Sequence, residues 1–414
     1  MLLYTMILLT ILIVILSSLL SYTLFISKDY IADRGRETLI RNLESAVTLM
    51  LDPEFMKENN RPLTISLFGQ QGDSVTVRRS QWGFYSLIYV SGTTAGYCIE
   101  RVCLCGDFKY SENSPALELY DCYKPLCISG NTFIRGNILI PEAGLKSAQI
   151  DGKFYTRERL SIGNVISVNK KMPEIKELIV NMDSKSLLSS AGEDVKYVIY
   201  NDEVINDTLV CSFLDEAVFL HASGPLTLSN CYIQGRVIIQ CDTMVAIMNN
   251  AHIYDAIIMA KYICIESGFK GTGQFIATDS LVCGQTCTFP FPSVLALINQ
   301  SNSPDPFLLI ADHCCIFGTV LGYTRMPMKK YTPLMLFSKE STLTGSLYSN
   351  RNACIMGNIH GNIAITGLSY RTHSGLYDNY LVDAVIDHDM QREYYSGFDF
   401  RKNNNFLNIL EWLY

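Results

Sequence analysis

Charged side chains are scarce in this sequence. Asp, Glu, Lys and Arg make up 18% of the 414 residues, against about 25% in a typical soluble domain. The formal net charge is −7, and no block of basic residues interleaves with aromatic residues, as such blocks do in many nucleic-acid-binding proteins. The sequence therefore does not predict a nucleic-acid partner.

The patterns of common metal, nucleotide and glycosidase sites are also missing. No two CxxC pairs have the spacing of a zinc site. The glycine-rich segment Gly268–Gly273 lacks P-loop spacing and is expected in a turn. Carboxylates do not recur together at a regular spacing, as a polysaccharide lyase or hydrolase on a repetitive β fold would need. The sequence predicts no catalytic residue, no cofactor-binding residue, no metal ligand and hence no enzyme.

Individual acidic and histidine residues have ordinary structural explanations. Asp255, Asp279 and Asp312 are expected in turns, which favour Asp. Asp387-His388-Asp389 looks like a metal ligand set, but neighbours in sequence point apart, which favours an exposed turn or a helix start. Four histidines fall in separate repeats and have no common partner: His221, His252, His313 and His360.

Ten of the fourteen cysteines fall into two sets. Those inside the repeats are expected to be small buried hydrophobic residues: Cys231, Cys264, Cys283, Cys314 and Cys354. A second set lies between residues 98 and 127: Cys98, Cys103, Cys105, Cys122 and Cys127. For this second set a disulfide, free thiols and a metal site are open alternatives.

The first 27 residues carry no charged side chain and are rich in Leu and Ile. About 20 apolar residues suffice to cross a bilayer core. A cleaved signal peptide is the alternative, but the apolar stretch is long, no basic segment precedes it and no clear cleavage site follows. We therefore predict a transmembrane helix over residues 1–27.

Helical spacing of apolar residues continues beyond this span. It predicts an amphipathic extension over residues 28–57 with a stop at Asp52-Pro53. Its apolar face would comprise Ile31, Leu39, Leu43, Ala46, Val47 and Met50. Over about the first 55 residues this layout resembles type IV pilin-like proteins. The Gly-Phe junction of their leader is missing, so processing by a prepilin peptidase is not expected.

The orientation of the chain in the membrane has two interpretations. Basic residues follow the span and none precedes it, so the positive-inside rule would place the main domain in the cytoplasm. The pilin-like layout instead implies a periplasmic or extracellular main domain. We expect the second orientation, at the inner membrane of a bacterium.

A repeated motif, Ile-x-Gly-x-(Val/Ile/Leu), dominates the rest of the sequence. Copies begin at Ile134, Ile233, Ile316, Leu343 and Ile359. Strand starts at residues 226, 245, 263 and 281 are 18 or 19 positions apart, and a period near 20 fits one coil of a parallel β-helix. We predict a mainly β fold: a right-handed parallel β-helix (β-solenoid) with an N-terminal transmembrane α-helix and a small strand-rich entry domain.

The domain boundaries follow from these patterns. The entry domain spans 58–121, with strands at Ser74–Val77 and Phe84–Val90 and a packed Trp82 in the turn region. First solenoid coils at 122–159, an insertion with a short helix at 160–205 and the main β-solenoid at 206–370 come next. A C-terminal cap or tail at 371–414 completes the chain. Within it we predict a helix over Tyr377–Met390 and an apolar segment, Phe406–Tyr414, that caps the last coil or docks on a partner.

Two resemblances add to this interpretation. The repeats over about 225–365 resemble the polymer-forming solenoids of the bactofilin type. The whole chain is similar to a family of membrane-anchored envelope proteins of Bacteroidota. The stretches that carry this similarity are Gln81-Trp82-Gly83, Ile140–Gly144, Gly268–Gln274 and Trp412-Leu413. The resemblance implies an envelope or pilus-like assembly role and supplies no catalytic residues.

The leading hypothesis is a non-enzymatic, membrane-anchored structural or assembly protein of the bacterial envelope, such as a minor pilin-like or secretion-apparatus component. Its partners would be the membrane, other envelope or pilus-like proteins and further copies of itself. The first alternative is a carbohydrate-binding or polysaccharide-cleaving β-helix. The second is a bactofilin-like scaffold that faces the cytoplasm.

Overall fold

The computed structural model describes residues 2–53, 55, 62–69, 74–94, 97–120, 123–168, 171–190, 195–300, 305–326, 332–373, 375–391, 395–402 and 405–413. The fold is mainly β, with one long N-terminal helix. The helices are α1 (Leu2–Met50), α2 (Glu177–Val180), α3 (Ser184–Ser190) and a 3-10 helix (His388–Met390).

Thirty-two strands lie in the described parts of the chain. Those before α2 are β1 (Leu63–Ser66), β2 (Ser74–Trp82), β3 (Tyr85–Thr94), β4 (Tyr97–Gly106), β5 (Phe108–Lys109), β6 (Pro115–Leu119), β7 (Leu126–Ser129), β8 (Phe133–Arg135), β9 (Asn137–Ile140), β10 (Leu145–Ser147) and β11 (Val165–Ser167). The next group is β12 (Val195–Tyr200), β13 (Val204–Ile205), β14 (Thr208–Cys211), β15 (Ala217–Ala222), β16 (Leu226–Leu228), β17 (Tyr232–Gly235), β18 (Val237–Ile247), β19 (His252–Tyr254), β20 (Ala256–Ile265), β21 (Gly273–Cys283) and β22 (Thr288–Asn299). The last group is β23 (Phe307–Ile310), β24 (Cys315–Thr324), β25 (Met335–Phe337), β26 (Thr342–Ile355), β27 (Asn358–Arg371), β28 (Leu376–Asp378), β29 (Tyr380–Val382), β30 (Val385–Asp387), β31 (Ser396–Gly397) and β32 (Asn408–Trp412).

The chain divides into two compact units. The first comprises Met1–Arg79, Ile88–Val102 and Tyr414, and the second comprises Ser80–Leu87 and Cys103–Leu413. In the first unit, β1 pairs antiparallel with β2. The C-terminal half of α1 is amphipathic, and its buried residues are Leu39, Asn42, Leu43, Ala46, Val47 and Met50. The predicted apolar face is therefore confirmed from Leu39 onward, whereas Ile31 is 62% exposed.

The core of the second unit is a closed barrel of mainly parallel strands. Each strand segment pairs in parallel with a segment of the next level, and one side chain from each level points inward into a continuous apolar column. We call each level of this stack a layer. In stacking order the column contains Leu220, Ile239, Ile258, Phe275, Leu295, Val320, Leu347, Ile363, Leu117 and Ile138. All ten are at most 5% exposed, and burying each stabilises the fold by about 1.5–3 kcal/mol.

The order of layers along the stack differs from the order along the chain. Strand β27 pairs with β30 through Ile359 and Ile386 and with β6 through Ile363 and Leu117. In turn, β30 pairs with β8 and β6 pairs with β9. One layer is thus built jointly from a C-terminal segment, Tyr380–Asp387, and an N-terminal segment, Pro115–Leu119, and we call it the composite layer.

The segment 122–159, which the sequence predicts as the first solenoid coils, does not lie at the start of the stack. Residues 122–159 do not precede residue 206 in the stack, because β8 and β9 lie beyond the composite layer, on the far side from β27. Strand β11 pairs with β9, and β12 pairs with β15 at the other end of the series. The stretch with α2 and α3 therefore joins the two ends of the stack rather than interrupting neighbouring layers.

The glycine of the repeated motif lies where successive layers approach each other closely. Gly318, Gly345 and Gly361 are paired in register and have φ values of +146°, +146° and +149°. A Cβ on Gly345 would overlap the carbonyl oxygen of Gly318, and one on Gly361 would overlap that of Gly345. The motif requires glycine because the backbone at this position leaves no room for a side chain.

We call the three paired glycines, Gly318, Gly345 and Gly361, the glycine column. In the composite layer a different residue takes the corresponding position. Ile386 pairs with Ile134, and two residues further along each strand His388 lies beside Gly136. A Cβ on Gly136 would lie 2.8 Å from the Cβ of His388. His388 therefore occupies the level at which the neighbouring layers carry glycine.

The two strands predicted in the entry domain are present as β2 and β3, but β2 continues through Trp82, so the turn between them lies at Gly83 and Phe84. In the second unit, the buried Gln274 side chain accepts a hydrogen bond from Phe84 N at 2.8 Å and donates one to the carbonyl oxygen of Trp82 at 2.9 Å. Trp82 is 2% exposed and packs edge-on against Phe213, so its predicted packing role is confirmed.

Three predictions near the short helices and the C-terminus are corrected. Tyr377–Met390 is not a helix: it contains β29, β30, parts of β28 and a 3-10 turn, because these residues complete the composite layer. The single short helix expected within residues 160–205 is instead two helices, α2 and α3. The described part of the apolar tail forms β32, which pairs antiparallel with β4, so it extends a sheet. Tyr414 lies outside the described residues.

Candidate functional sites

The first candidate is the N-terminal part of α1. It is long and apolar enough to span a membrane, with a mean hydropathy of 2.6 over its best window, none of which is buried. Four hydroxyls in this part donate to carbonyl oxygens three residues earlier at 2.8–2.9 Å: Thr5, Thr10, Ser17 and Thr23. These polar groups are satisfied within the helix, as a lipid environment requires.

The second candidate is a group of three buried thiols in the second unit. Cys283, Cys287 and Cys314 have sulfur atoms that all lie within 4.8 Å of one another. The Sγ atoms of Cys283 and Cys314 are 3.9 Å apart. Cys283 ends β21, whereas Cys287 and Cys314 precede paired residues of β22 and β24 and therefore occupy the same corner in adjacent layers. We call these three residues the thiol group.

Hydrogen bonds couple the thiol group. The pKa of Cys287 is lowered because its sulfur accepts hydrogen bonds from the thiols of Cys283 and Cys314, which outweigh the opposing effect of burial. The pKa of Cys283 is raised well above its ordinary value because its proton is held in the bond to Cys287, and burial acts in the same direction. The protonation of each of these thiols therefore affects the pKa of its neighbours.

The sequence predicts two members of the thiol group, Cys283 and Cys314, as separate buried hydrophobic residues, and their burial confirms that part. It makes no prediction for Cys287. Cys287 follows Cys283 by four positions across a corner, and Cys314 follows it by one repeat. Aligning the corners of adjacent repeats would have found the group.

The third candidate is a buried ionic network at the C-terminal end of the second unit. The Arg401 guanidinium lies 3.1 Å from Asp399 and 3.4 Å from Glu118. Both carboxylates are almost fully buried, with 2% and 8% of their side chains exposed. Tyr120 donates a short hydrogen bond to Glu118, and its pKa is raised by burial and by this carboxylate. The Arg401 guanidinium and the Tyr120 hydroxyl satisfy these buried carboxylates, so we assign the network a structural role.

The triplet Asp387-His388-Asp389 does not converge. Asp387 and His388 are buried while Asp389 is exposed, because the three start a 3-10 helix with Asp387 as its N-cap. His388 Nε2 lies 3.1 Å from the carbonyl oxygen of Ser111, and its ring stacks on Tyr110. The predicted helix start is confirmed and the predicted exposure is wrong for the first two residues.

The four histidines of the repeats have different surroundings. His221 lies 3.1 Å from Asp242, and His313 lies 3.1 Å from Glu340. The ring of His252 packs near Tyr232. His360 is half-buried, and this burial lowers its pKa. The structure does not bring these histidines together in a site.

The three aspartates also lie apart. Asp255 has a left-handed φ of +61° and Asp312 lies in a turn, as predicted. Asp279 is instead 3% exposed within β21, where the amide of Asn299 donates to it at 3.2 Å. The turn prediction is wrong for Asp279, because this position is a polar corner inside the stack.

The cysteines between residues 98 and 127 form no disulfide among the described residues. The sulfur atoms of Cys103 and Cys105 are 3.7 Å apart and buried, and Cys98 is exposed. Cys127 is half-buried, and its thiol lies 3.9 Å from the carbonyl oxygen of Pro125. Cys122 lies outside the described residues. Cys98 and Cys127 are therefore free thiols in the structure.

Known proteins offer no template for assigning these candidate sites. No protein-family model, curated protein or solved structure matches the chain. The function has to be argued from the chain itself, and the long apolar helix joined to a β fold is its most informative feature.

Proposed function

We propose that the protein is a non-enzymatic, membrane-anchored structural or assembly component of the bacterial envelope. One observation carries the proposal: α1 is a single helix whose apolar half is fully exposed and whose second half is packed in a folded unit. Exposing such a surface to water is unfavourable, so a bilayer is its natural environment. The helix would connect the anchor to the folded part without a flexible joint.

The second part of the proposal is that the parallel layers wind as a right-handed β-solenoid. Its support is the column of paired inward residues, in which most partners lie one sequence repeat apart, as Ile239 and Ile258 do. The resemblance of the repeats to bactofilin-type solenoids agrees with it. A stack of this kind is stiff and offers long lateral faces, which suits an assembly role.

A structural role also agrees with the placement of the polar residues. Several of the acidic and histidine side chains named above pair locally, as Glu118 does with Arg401 and His221 with Asp242. Catalysis of glycoside cleavage needs a different arrangement, in which two carboxylates face one groove. Partners would be further copies of this chain or pilus-like envelope proteins.

Assembly can be tested by measuring the oligomeric state of the full chain in vesicles with donor- and acceptor-labelled copies. We expect energy transfer that persists on dilution of the vesicles and falls when unlabelled chain is added. Energy transfer no greater than that of randomly distributed helices, together with release of sugars from envelope polysaccharide, would contradict the proposal.

The side of the membrane can be tested with a membrane-impermeant thiol reagent. Cys264 and Cys315 are exposed on the second unit, and Cys231 is buried in the same unit as an internal control. Labelling of the first two in cells with a permeabilised outer membrane would support a periplasmic main domain. Labelling only after lysis would place it in the cytoplasm, as the bactofilin-like alternative requires.

A further inference from the structure

We propose that the thiol group, Cys283, Cys287 and Cys314, is a binding site for one monovalent copper ion. The inference is independent of the membrane anchor, since all three residues lie in the second unit. It rests on the mutual positions of the sulfur atoms and on the groups that surround them.

The separation of the sulfur atoms fits a shared ion. An ion bonded to three sulfurs in one plane at about 2.3 Å separates them by about 4.0 Å. The measured distance from Cys283 to Cys314 is 3.9 Å, and no pair exceeds 4.8 Å. Other residues next to these cysteines are not sulfur donors, since Cys283 pairs with Ile310 and the N–H of Cys314 donates to the Ser341 hydroxyl.

The type and number of donors select the metal. Thiolates favour soft ions such as Cu⁺ and Zn²⁺, and zinc sites in proteins are four-coordinate. Within the described residues, no fourth Cys, His, Asp or Glu joins the thiol group. Three sulfurs suit the trigonal coordination of Cu⁺. Each thiol that becomes a ligand releases one proton to solvent, and copper remains Cu⁺ throughout.

Backbone carbonyl oxygens hold the thiols in position. The Cys287 thiol donates to the carbonyl oxygen of Glu266 at 3.2 Å, and the Cys314 thiol donates to that of Gly284 at 3.1 Å. Phe269 is fully buried nearby, and its ring packs against those of Phe275 and Phe289. Outside the corner, Gln285 and Thr286 are exposed, so only the turn that links Cys283 to Cys287 separates the site from solvent.

The test is a Cu⁺ titration of the full chain in detergent, under reducing and anaerobic conditions, in competition with bathocuproine disulfonate. The exposed cysteines are first alkylated with an impermeant reagent. We expect one Cu⁺ per chain. Cys287→Ser and Cys314→Ser should each weaken binding by more than about 100-fold, since second-shell partners alone contribute 10–100-fold. Cys231→Ser, a buried cysteine outside the group, should leave binding unchanged.

X-ray absorption at the copper edge of the unmodified sequence keeps the proposal testable if a variant does not fold. We expect three sulfur neighbours and no oxygen or nitrogen neighbour. Equal Cu⁺ affinity in all variants, two sulfur neighbours, tighter binding of Zn²⁺ than of Cu⁺, or a Cys283–Cys314 disulfide in the purified chain would each overturn it.

Discussion

Ile365 and Leu119 are paired in parallel, although more than half of the chain separates them. Both are at most 3% exposed, and they join the last strand of the repeat series to the segment that follows the entry hairpin. The pairing means that the stack is completed by residues from both ends of the folded chain. Its stability therefore depends on contacts that form across a large sequence separation.

The composite layer predicts energetic coupling between its N-terminal segment and β27. Leu117 pairs with Ile363 in the core column, so we expect Leu117→Ala and Ile363→Ala to destabilise the fold by about 2–5 kcal/mol each. The double variant should show an interaction energy of about 0.5–3 kcal/mol, measured by denaturant unfolding. Leu117→Ala combined with Ile258→Ala, at a distant level of the same column, is the control and should be additive. Additivity of the first pair would contradict the composite layer.

The close approach of the layers at the glycine column predicts that adding a single methyl group there destabilises the fold. Gly345→Ala should lower the free energy of unfolding by more than about 1 kcal/mol, since the new Cβ would overlap the carbonyl oxygen of Gly318. Gly224→Ala is the matched control, because nothing lies within 4 Å of its Cβ position and its φ is not left-handed. Equal thermal stability of the two variants would show that the layers do not approach as closely as described.

The ionic network predicts a large loss of stability when its cation is removed. Arg401→Met leaves Glu118 and Asp399 buried without that cation and should cost about 3–5 kcal/mol. Lys402→Met, which removes an exposed partner of Glu177, should cost less than about 1 kcal/mol. Chemical denaturation of both variants measures the difference. Similar small losses would mean that solvent reaches the network.

The pair of Asp383 and Lys153 predicts a dependence of stability on acid pH. Burial alone would raise the pKa of Asp383, but hydrogen bonds from the Lys153 ammonium and from Asn131 N outweigh it and hold this pKa below its ordinary value of 3.8. The contribution is present above the unfolded pKa and is lost as the pH falls through the folded pKa. Asp383→Asn should therefore be less stable than the wild type at neutral pH, and the difference should shrink below about pH 4. A difference that is constant with pH would exclude this charge effect.

Local patterns in the sequence are sufficient to predict the elements that are formed by local interactions. The helix ending before Asp52-Pro53 and the hairpin around Gly83 were predicted because spacing and turn residues determine them. The composite layer could not be predicted from local patterns. Its C-terminal strands are only three residues long, and tertiary pairing with β7 and β8 overrides the helical pattern of Tyr377–Met390.

The thiol group escaped prediction for a related reason. The interval from Cys283 to Cys287 gives no recognised metal motif, and Cys314 joins them only because equivalent corners stack. The number of residues per layer varies, so the sequence alone does not show that Cys287 and Cys314 occupy equivalent corners. Register has to be known before side chains in different layers can be placed together.

The central claim, that α1 anchors this chain in a membrane, is tested most directly by vesicle flotation followed by alkaline extraction. Leu9, Leu12 and Leu16 are exposed in the apolar half of α1, so their joint replacement by Asp spares the folded units. Each Asp near the helix centre opposes insertion by about 3 kcal/mol. We predict that the wild-type chain floats with the vesicles and resists extraction, whereas the triple Asp variant stays soluble and folded. A wild-type chain that remains at the bottom of the gradient, or a triple variant that floats equally well, would contradict the account.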